Sequence, residues 1–185
     1  MADTSDFRNG MVIELNNQLV SIVEFQHVKP GKGGAFVRTK LKNVETGRVL
    51  DKTFRSGEKV TEVRLESRAF QYLYFDGEVY HLMNTETFEQ ITLPRERLTD
   101  VLPYMKENDM VTVLLREETP LTVEVANHVE LTVTKSDPGL KGDTAQGGTK
   151  PATLETGLEI QVPLFVEEGD ILRVDTRTGK YMTRV

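Results

Sequence analysis

The feature that most constrains this chain is a regular series of short apolar runs, each separated from the next by residues that favour tight turns. The pairs Asn16-Asn17 and Asp76-Gly77 lie between such runs, and both suit the backbone of a short β-hairpin. Gly157, Gly169 and Gly179 divide the last four runs in the same way. Short strands with turn signals at this spacing are typical of sandwiches and barrels, so the sequence predicts an all-β protein.

One strand and one helix can be predicted in more detail. The residues from Ala35 to Leu41 alternate in character, which places Arg38 and Lys40 on the same face of a strand. The one helical candidate is Arg95–Met105, and Pro103 within it predicts that this helix is short.

Composition excludes several classes of protein. The chain has no cysteine, so disulfides, thiolate catalysis and cysteine-bound zinc are ruled out. No apolar run is long enough to span a bilayer as a helix, and residues 1–10 lack the basic start and apolar stretch of a secretory signal. We therefore expect a cytoplasmic monomer that has no membrane partner.

Charge divides the chain more clearly than hydrophobicity does. Residues 1–63 carry ten Lys and Arg against eight Asp and Glu, residues 64–128 carry six against twelve, and residues 129–185 carry seven against nine. Each block has its own set of strands and a length that suits a small barrel of five or six strands. The sequence therefore predicts three domains with these boundaries, and no internal repeat is evident between them.

Catalytic and metal-binding patterns are missing from the sequence. The three histidines, His27, His81 and His128, lie one in each block, and none has the spacing of a metal-ligand pair. The serines do not occur in a nucleophile-elbow sequence, and paired acids such as Glu117-Glu118 flank turns. The chain is therefore predicted to be neither an enzyme nor a protein with a metal or another cofactor.

A basic segment stands out in the first block. The loop from Lys29 to Gly34 has Lys32 at its centre, with Pro30-Gly31 before it and Gly33-Gly34 after it. Proline restricts φ and glycine permits a tight turn, so the loop presents Lys32 at the tip of a narrow hairpin. A plain exposed turn and a phosphate-binding loop are both consistent with this composition. The segment from 27 to 42 contains no acid, and its cations, which favour an RNA backbone as partner, are Lys29, Lys32, Arg38, Lys40 and Lys42.

The third block contains the most specific pattern. The stretch Pro138–Pro151 is rich in Gly, Thr, Lys and Asp, and a loop of this length is usually functional. In Lys150–Gly169, which overlaps its end, the spacing of Lys, Ala, Gly, Val-Pro and Gly resembles the signature of the bacterial elongation factor P family. The resemblance covers essentially the whole chain, and the other matching segments are 29–38, 53–59, 71–74 and 174–179.

This resemblance implies an N-terminal SH3-like (KOW-like) barrel followed by two OB-folds, arranged as an L. It implies a translation factor that binds the 70S ribosome and its rRNA between the P and E sites and stimulates peptide-bond formation at consecutive prolines. By motif position, Lys32 is the tip residue that approaches the P-site peptidyl-tRNA, and a lysine-modifying enzyme acts on it in many members. The motif Gly142-Asp143-Thr144 resembles the loop that approaches the E-site mRNA codon.

Three alternatives remain at this point. An enzyme with an OB-fold substrate cleft would need a metal or an acid pair that the sequence does not reveal. A general binder of single-stranded RNA usually displays interleaved aromatic residues, whereas Tyr72, Tyr74 and Phe75 are interpreted here as core and hairpin residues. The paralogous elongation-factor-P-like proteins share the fold, but the lysine tip and the complete C-terminal signature favour the standard factor. The sequence does not identify the group attached to Lys32.

Overall fold

The computed structural model describes residues 1–138 and 148–185, and within these residues the chain is built almost entirely from β-strands. Three short 3₁₀ turns, Thr4–Asp6, Arg95–Arg97 and Leu102–Tyr104, complete the regular structure. The strands are β1 Ala2–Asp3, β2 Val12–Leu15, β3 Gln18–Val28, β4 Phe36–Asn43, β5 Val49–Arg55, β6 Lys59–Glu62, β7 Glu66–Phe75, β8 Val79–Asn84, β9 Gln90–Pro94, β10 Met110–Arg116, β11 Thr119–Glu124, β12 His128–Ser136, β13 Thr149–Leu154, β14 Glu159–Pro163, β15 Ile171–Asp175 and β16 Lys180–Arg184.

The strands form three sheets, in the orders β1-β6-β2-β3-β4-β5, β11-β10-β7-β8-β9 and β14-β13-β12-β15-β16. The long strand of each sheet has a register shift partway along it, and such bulges bend a strand so that a sheet can curl towards a barrel. These shifts lie between Ile22 and Glu24, between Tyr72 and Tyr74, and between Val133 and Lys135. The all-β prediction is confirmed.

The hairpin predicted around Asn16-Asn17 is confirmed. Strands β2 and β3 pair from Val12 opposite Ser21 to Leu15 opposite Gln18. Asn16 and Asn17 have φ angles of 51° and 60°, the left-handed conformation that asparagine adopts more readily than most residues. The turn follows from the side chains present at those two positions.

The predicted helix over Arg95–Met105 is wrong. Within the described residues this segment contains only the two 3₁₀ turns, and Pro103 lies in the first positions of the second turn, where a missing N–H is tolerated. Leu98, Val101 and Met105 are nevertheless buried. These three residues have the spacing of one face of a helix. The structure buries them on a segment that turns tightly without forming a continuous α-helix.

By compactness the chain divides into two units, Met1–Arg68 with Val113–Thr122 and Ala69–Thr112 with Val123–Val185. The predicted domain boundaries, 1–63, 64–128 and 129–185, stay a prediction. The first unit contains a core in which the rings of Phe7 and Phe54 meet edge to face at 5.3 Å. Its other buried members are Ala2, Met11, Ile13, Val20, Ile22, Val37, Leu41 and Val60. A core in the second unit consists of Leu131, Val133, Ala152, Leu154, Ile160, Val162, Val166, Leu172 and Val174.

A six-residue turn recurs at residues 43–48, 84–89 and 175–180, which the sequence alone did not indicate. In each turn the first residue is Asn or Asp, and its side-chain oxygen accepts the N–H of the third residue at 2.8–2.9 Å. In each turn the fifth N–H donates to the first carbonyl, at 2.8–2.9 Å. The shared first and fourth positions read Asn/Asp-x-x-Thr, a pattern too short and too common to be recognised as a repeat without the hydrogen bonds.

The hairpin predicted at Asp76-Gly77 is also confirmed, and it contains one of the three histidines. The Asp76 carboxylate accepts the backbone N–H groups of Glu78 and Val79, both at 2.9 Å, and the ring N–H of His81 at 2.7 Å. The His81 ring stacks on Tyr74 with centroids 4.4 Å apart. His81 is therefore a packed strand residue, and its hydrogen bond, with the two backbone bonds, lowers the pKa of Asp76 to about 2.

This lowered pKa predicts a specific dependence of stability on pH. Because Asp76 has a lower pKa folded than its ordinary 3.8, its charge stabilises the fold above about pH 4, and this contribution is lost as the pH falls towards 2. Asp76→Asn should therefore lower the Tm at pH 7 and have a smaller effect at pH 2. Thermal unfolding of both proteins across this range is the measurement. A Tm difference that stays constant from pH 7 to pH 2 would contradict the assignment.

Candidate functional site

The candidate site begins with the loop between β3 and β4. These strands pair from Val20 opposite Asn43 to Val28 opposite Phe36, so residues 29–35 form the connection. Lys29 and Lys32 are both exposed, and Lys32 lies in the bend at the centre of the connection. Among the described residues, no hydrogen-bond or ion-pair partner is found for the side chain of Lys32. The predicted hairpin with a lysine at its tip is therefore present in the structure.

The glycines around Lys32 differ in backbone conformation, and so in whether another residue could replace them. Gly33 has a φ of +112°, a conformation that other residues rarely adopt. Gly31 and Gly34 lie outside the left-handed region, and a Cβ added at either position would meet nothing within 4 Å. The fold therefore requires glycine at 33 only. The other two glycines keep the loop thin without relieving any crowding inside the protein.

The basic face lies on β4, directly after this loop. Val37, Thr39 and Leu41 point into the core, so Arg38 and Lys40 share the exposed face, as the alternation predicted. The Arg38 guanidinium lies 5.5 Å from the centre of the Phe36 ring. Stacking of this kind holds the planar group in place while leaving its N–H groups available.

Lys40 has acidic neighbours that the sequence did not reveal. Its ammonium group lies 3.4 Å from the carboxylate of Glu24 on β3, and Asp51 on β5 is opposite Lys40 in register. The segment that contains no acid in sequence is therefore flanked by acids in space. Lys42 is exposed on the same face, further from the loop. The roles of Arg38, Lys40 and Lys42 in RNA contact stay a prediction.

Arg55 is a cation at this site that the sequence did not indicate. It is exposed on β5 and pairs in register with Phe36, so it shares the face of Arg38 at the end nearer the loop. Its backbone N–H donates to the Glu58 carboxylate at 2.9 Å, which holds the following turn. Alternation along β5 does predict that Arg55 faces away from buried Phe54. Only the register between β4 and β5 shows that it belongs with Arg38.

These strands border an open cleft of about 470 Å³ in the first unit. Arg38, Lys40 and Lys52 contribute positive charge to its walls, and Glu24 and Asp51 contribute negative charge. Arg38 and Arg55 lie at the loop end and have no acidic neighbour in register, whereas Glu24 and Asp51 lie further along the sheet. An anionic ligand would therefore be favoured at the end where Lys32, Arg38 and Arg55 lie.

The motif Gly142-Asp143-Thr144 lies outside the described residues. Beside it in sequence, Lys150 is 92% buried, since only 8% of its surface is exposed, and its ammonium group donates to the carbonyl of Asp137 at 2.6 Å. A buried lysine needs such a partner, because an uncompensated charge in the interior is costly. The first residue of the C-terminal signature is therefore a structural one that links β13 to the end of β12.

Neither a metal centre nor a membrane helix is found in the part of the chain that the structure describes. No three His, Asp or Glu side chains among these residues lie close enough together to bind a metal ion. Over residues 1–138 and 148–185, no helix has the length and apolar character needed to cross a bilayer.

Comparison with known families covers nearly the whole chain. Residues 3–60 match the elongation factor P (EF-P) KOW-like domain, residues 65–123 match the elongation factor P (EF-P) OB domain, and residues 129–184 match the elongation factor P C-terminal domain.

Individual relatives are similar to this chain over their full length. Elongation factor P of Moorella thermoacetica is 55% identical over 184 residues, which is 100% of both chains. Elongation factor P 1 of Porphyromonas gingivalis is 58% identical over 187 residues, 100% of this chain and 99% of the relative. Among solved structures, eukaryotic translation initiation factor 5A from Methanococcus jannaschii is 19% identical, with a TM-score of 0.49, over 68% of this chain and 90% of that one.

The identities and the three family matches also confirm the family resemblance drawn from the motifs, with its KOW-like N-terminal barrel and OB-fold. This chain therefore belongs to the elongation factor P family of translation elongation factors.

Proposed function

We propose that this protein binds the ribosome between the P and E sites and stimulates peptide-bond formation when consecutive prolines are joined. Membership of the family implies the ribosome as a partner. The observation that carries the proposal is Lys32 itself, an exposed lysine at the centre of a thin loop that has glycines the fold does not require. A loop of this shape can enter a narrow crevice, and its lysine reaches roughly 6 Å beyond the backbone.

The mechanism follows from what a lysine at a tip can do. Proline's ring fixes φ, so the reactive geometry of a prolyl peptidyl-tRNA is rarely sampled. A protonated lysine has three N–H donors and no acceptor, so it can orient phosphates and hydroxyls but cannot take up a proton. Holding the tRNA end in a reactive position lowers the entropic part of the activation barrier, because the freedom of that end is already lost on binding. In this proposal the ribosome performs the chemistry, the factor positions the substrate, and the factor is not itself an enzyme.

Other parts of the proposal rest on the family alone. They are an L-shaped arrangement of three domains, contact of Gly142-Asp143-Thr144 with mRNA in the E site, and action of a lysine-modifying enzyme on Lys32. A cytoplasmic location belongs with them, because a translation factor acts where ribosomes are. The intact mass of the natural protein, compared with the mass of its sequence, would identify a group attached to Lys32.

The natural protein should accelerate synthesis of a Pro-Pro-Pro peptide in a reconstituted translation system, by at least about tenfold if positioning is the limiting step. A Phe-Phe-Phe message should show little change, since its peptidyl-tRNA already samples the reactive geometry. Single-turnover rates of peptide formation with and without the protein are the measurement. Equal acceleration of both messages, or of neither, would contradict the proposed function.

A further inference from the structure

The three recurring turns differ at their fifth position. This residue is Gly47 in the first turn and Gly179 in the third, with φ angles of 71° and 68°. In the middle turn the same position is occupied by Phe88, with a φ of 61°. The hydrogen bonds of the middle turn match those of the first, including the N–H of Phe88 donated to the Asn84 carbonyl at 2.9 Å.

Phenylalanine is a costly choice at this position. A left-handed φ brings the Cβ of an L-residue close to its own backbone, so a bulky side chain is strained where glycine is not. Phe88 is also 70% exposed, and no ring or cation contact of its side chain is found within the described residues. The Phe88 ring therefore stabilises neither the turn nor the hydrophobic core. A strained and exposed aromatic residue of this kind points to a contact outside the chain.

The charges around Phe88 indicate the chemistry of that contact. Glu86 and Glu89 flank it on the same turn and are both exposed, and residues 84–90 include no Lys or Arg. The whole block 64–128 carries six basic against twelve acidic residues. Carboxylates on both sides of the ring would repel the phosphates of RNA and attract arginine or lysine.

We propose that the turn at residues 84–89 is a docking point for a cationic protein surface, with Phe88 as its apolar anchor. An aromatic side chain that enters a pocket, surrounded by acids that meet the arginines and lysines of the partner, is a common arrangement of binding hot spots. That the partner is a basic protein of the ribosome rests on the proposed function, and ribosomes are therefore the probe used in the test.

The decisive variant is Phe88→Gly, which restores the residue found at the other two turns. It should leave the Tm unchanged or raise it by up to about 3 °C, because relief of the left-handed backbone offsets the greater freedom of glycine in the unfolded chain. Its affinity for 70S ribosomes should fall about tenfold. Phe88→Tyr should bind like the unchanged protein. Phe165→Ala, at an aromatic residue that is 56% exposed in the C-terminal block, is the matched control and should bind normally.

Charge variants distinguish a protein partner from RNA. The double substitution Glu86→Gln and Glu89→Gln should weaken binding to 70S ribosomes if the turn meets a cationic protein. The same substitution should strengthen binding if the turn lies against RNA, which would overturn the inference. A photoreactive benzoylphenylalanine placed at position 88 should then crosslink to a ribosomal protein, whereas a crosslink to rRNA would reject the proposed class of partner.

The outcomes separate this inference from the proposed function. If the unchanged protein fails to bind 70S ribosomes, the proposed function falls, and the assignment of the partner falls with it. If the unchanged protein binds and Phe88→Gly binds equally well, only the docking point is rejected. A loss of affinity as large for Phe165→Ala as for Phe88→Gly would also reject the docking point, because removal of either exposed aromatic ring would then weaken binding equally.

Discussion

Lys32→Ala is expected to reduce the rate of Pro-Pro synthesis to about the rate measured without the protein. The side chain is exposed, so its removal should change the free energy of unfolding by no more than about 0.5 kcal/mol. Most of the affinity for ribosomes should remain, because we expect the other cations of the same domain to contact RNA. The measurement is the single-turnover rate of Pro-Pro formation at a concentration that saturates the ribosomes, where a loss of binding does not contribute.

Two further variants separate the possible reasons for such a loss. Lys32→Arg keeps the positive charge but removes the amine that a lysine-modifying enzyme would use, so its activity reports on charge alone. Lys29→Ala removes an exposed lysine from the same loop and should retain most of the activity. Full activity of Lys32→Ala would exclude this residue from the mechanism, and equal losses for Lys29→Ala would mean that only the total charge of the loop matters.

Neutralising Arg38 and Arg55 together should weaken binding to ribosomes at low salt, by on the order of tenfold for each phosphate that no longer has a cationic partner. The two side chains share the end of the sheet nearest the Lys32 loop, and Arg38 is held over the Phe36 ring. The slope of log affinity against log salt should become shallower by about two units for the double variant. Ribosome binding measured over a range of salt concentrations tests this directly.

Lys40→Gln provides the matched comparison, since the sequence alone ranks Lys40 equal to Arg38. Lys40 already lies 3.4 Å from Glu24, so its ammonium group is expected to contribute less to phosphate contact than the Arg38 guanidinium does. Its substitution should therefore change the salt slope by less than Arg38→Gln does. A slope that is unchanged in the Arg38 and Arg55 double variant, or one that changes most for Lys40→Gln, would reject this end of the sheet as an RNA-binding surface.

Much of the fold could be predicted because its signals are local. The Asn16-Asn17 and Asp76-Gly77 hairpins depend on side chains that favour a particular turn, and these side chains are visible in the sequence. The alternation through β4 likewise predicted which residues are buried. The Arg95–Met105 segment was wrongly predicted to be a helix. Its buried apolar residues have the spacing of a helix face, but a chain that turns without an α-helix can bury residues at the same spacing.

The sequence by itself determined the strand content, the hairpin turns at Asn16-Asn17 and Asp76-Gly77 and the lysine-tipped loop, because each of these depends on residues that are neighbours along the chain. Only the tertiary structure decided which charges lie together. Pairing of β3, β4 and β5 brings Glu24 and Asp51 to Lys40 and Arg55 to the side of Arg38, and a different register would have produced a different set of neighbours. The strain at Phe88 likewise emerges only from its φ angle, since nothing in its sequence neighbourhood marks a phenylalanine that occupies a position suited to glycine.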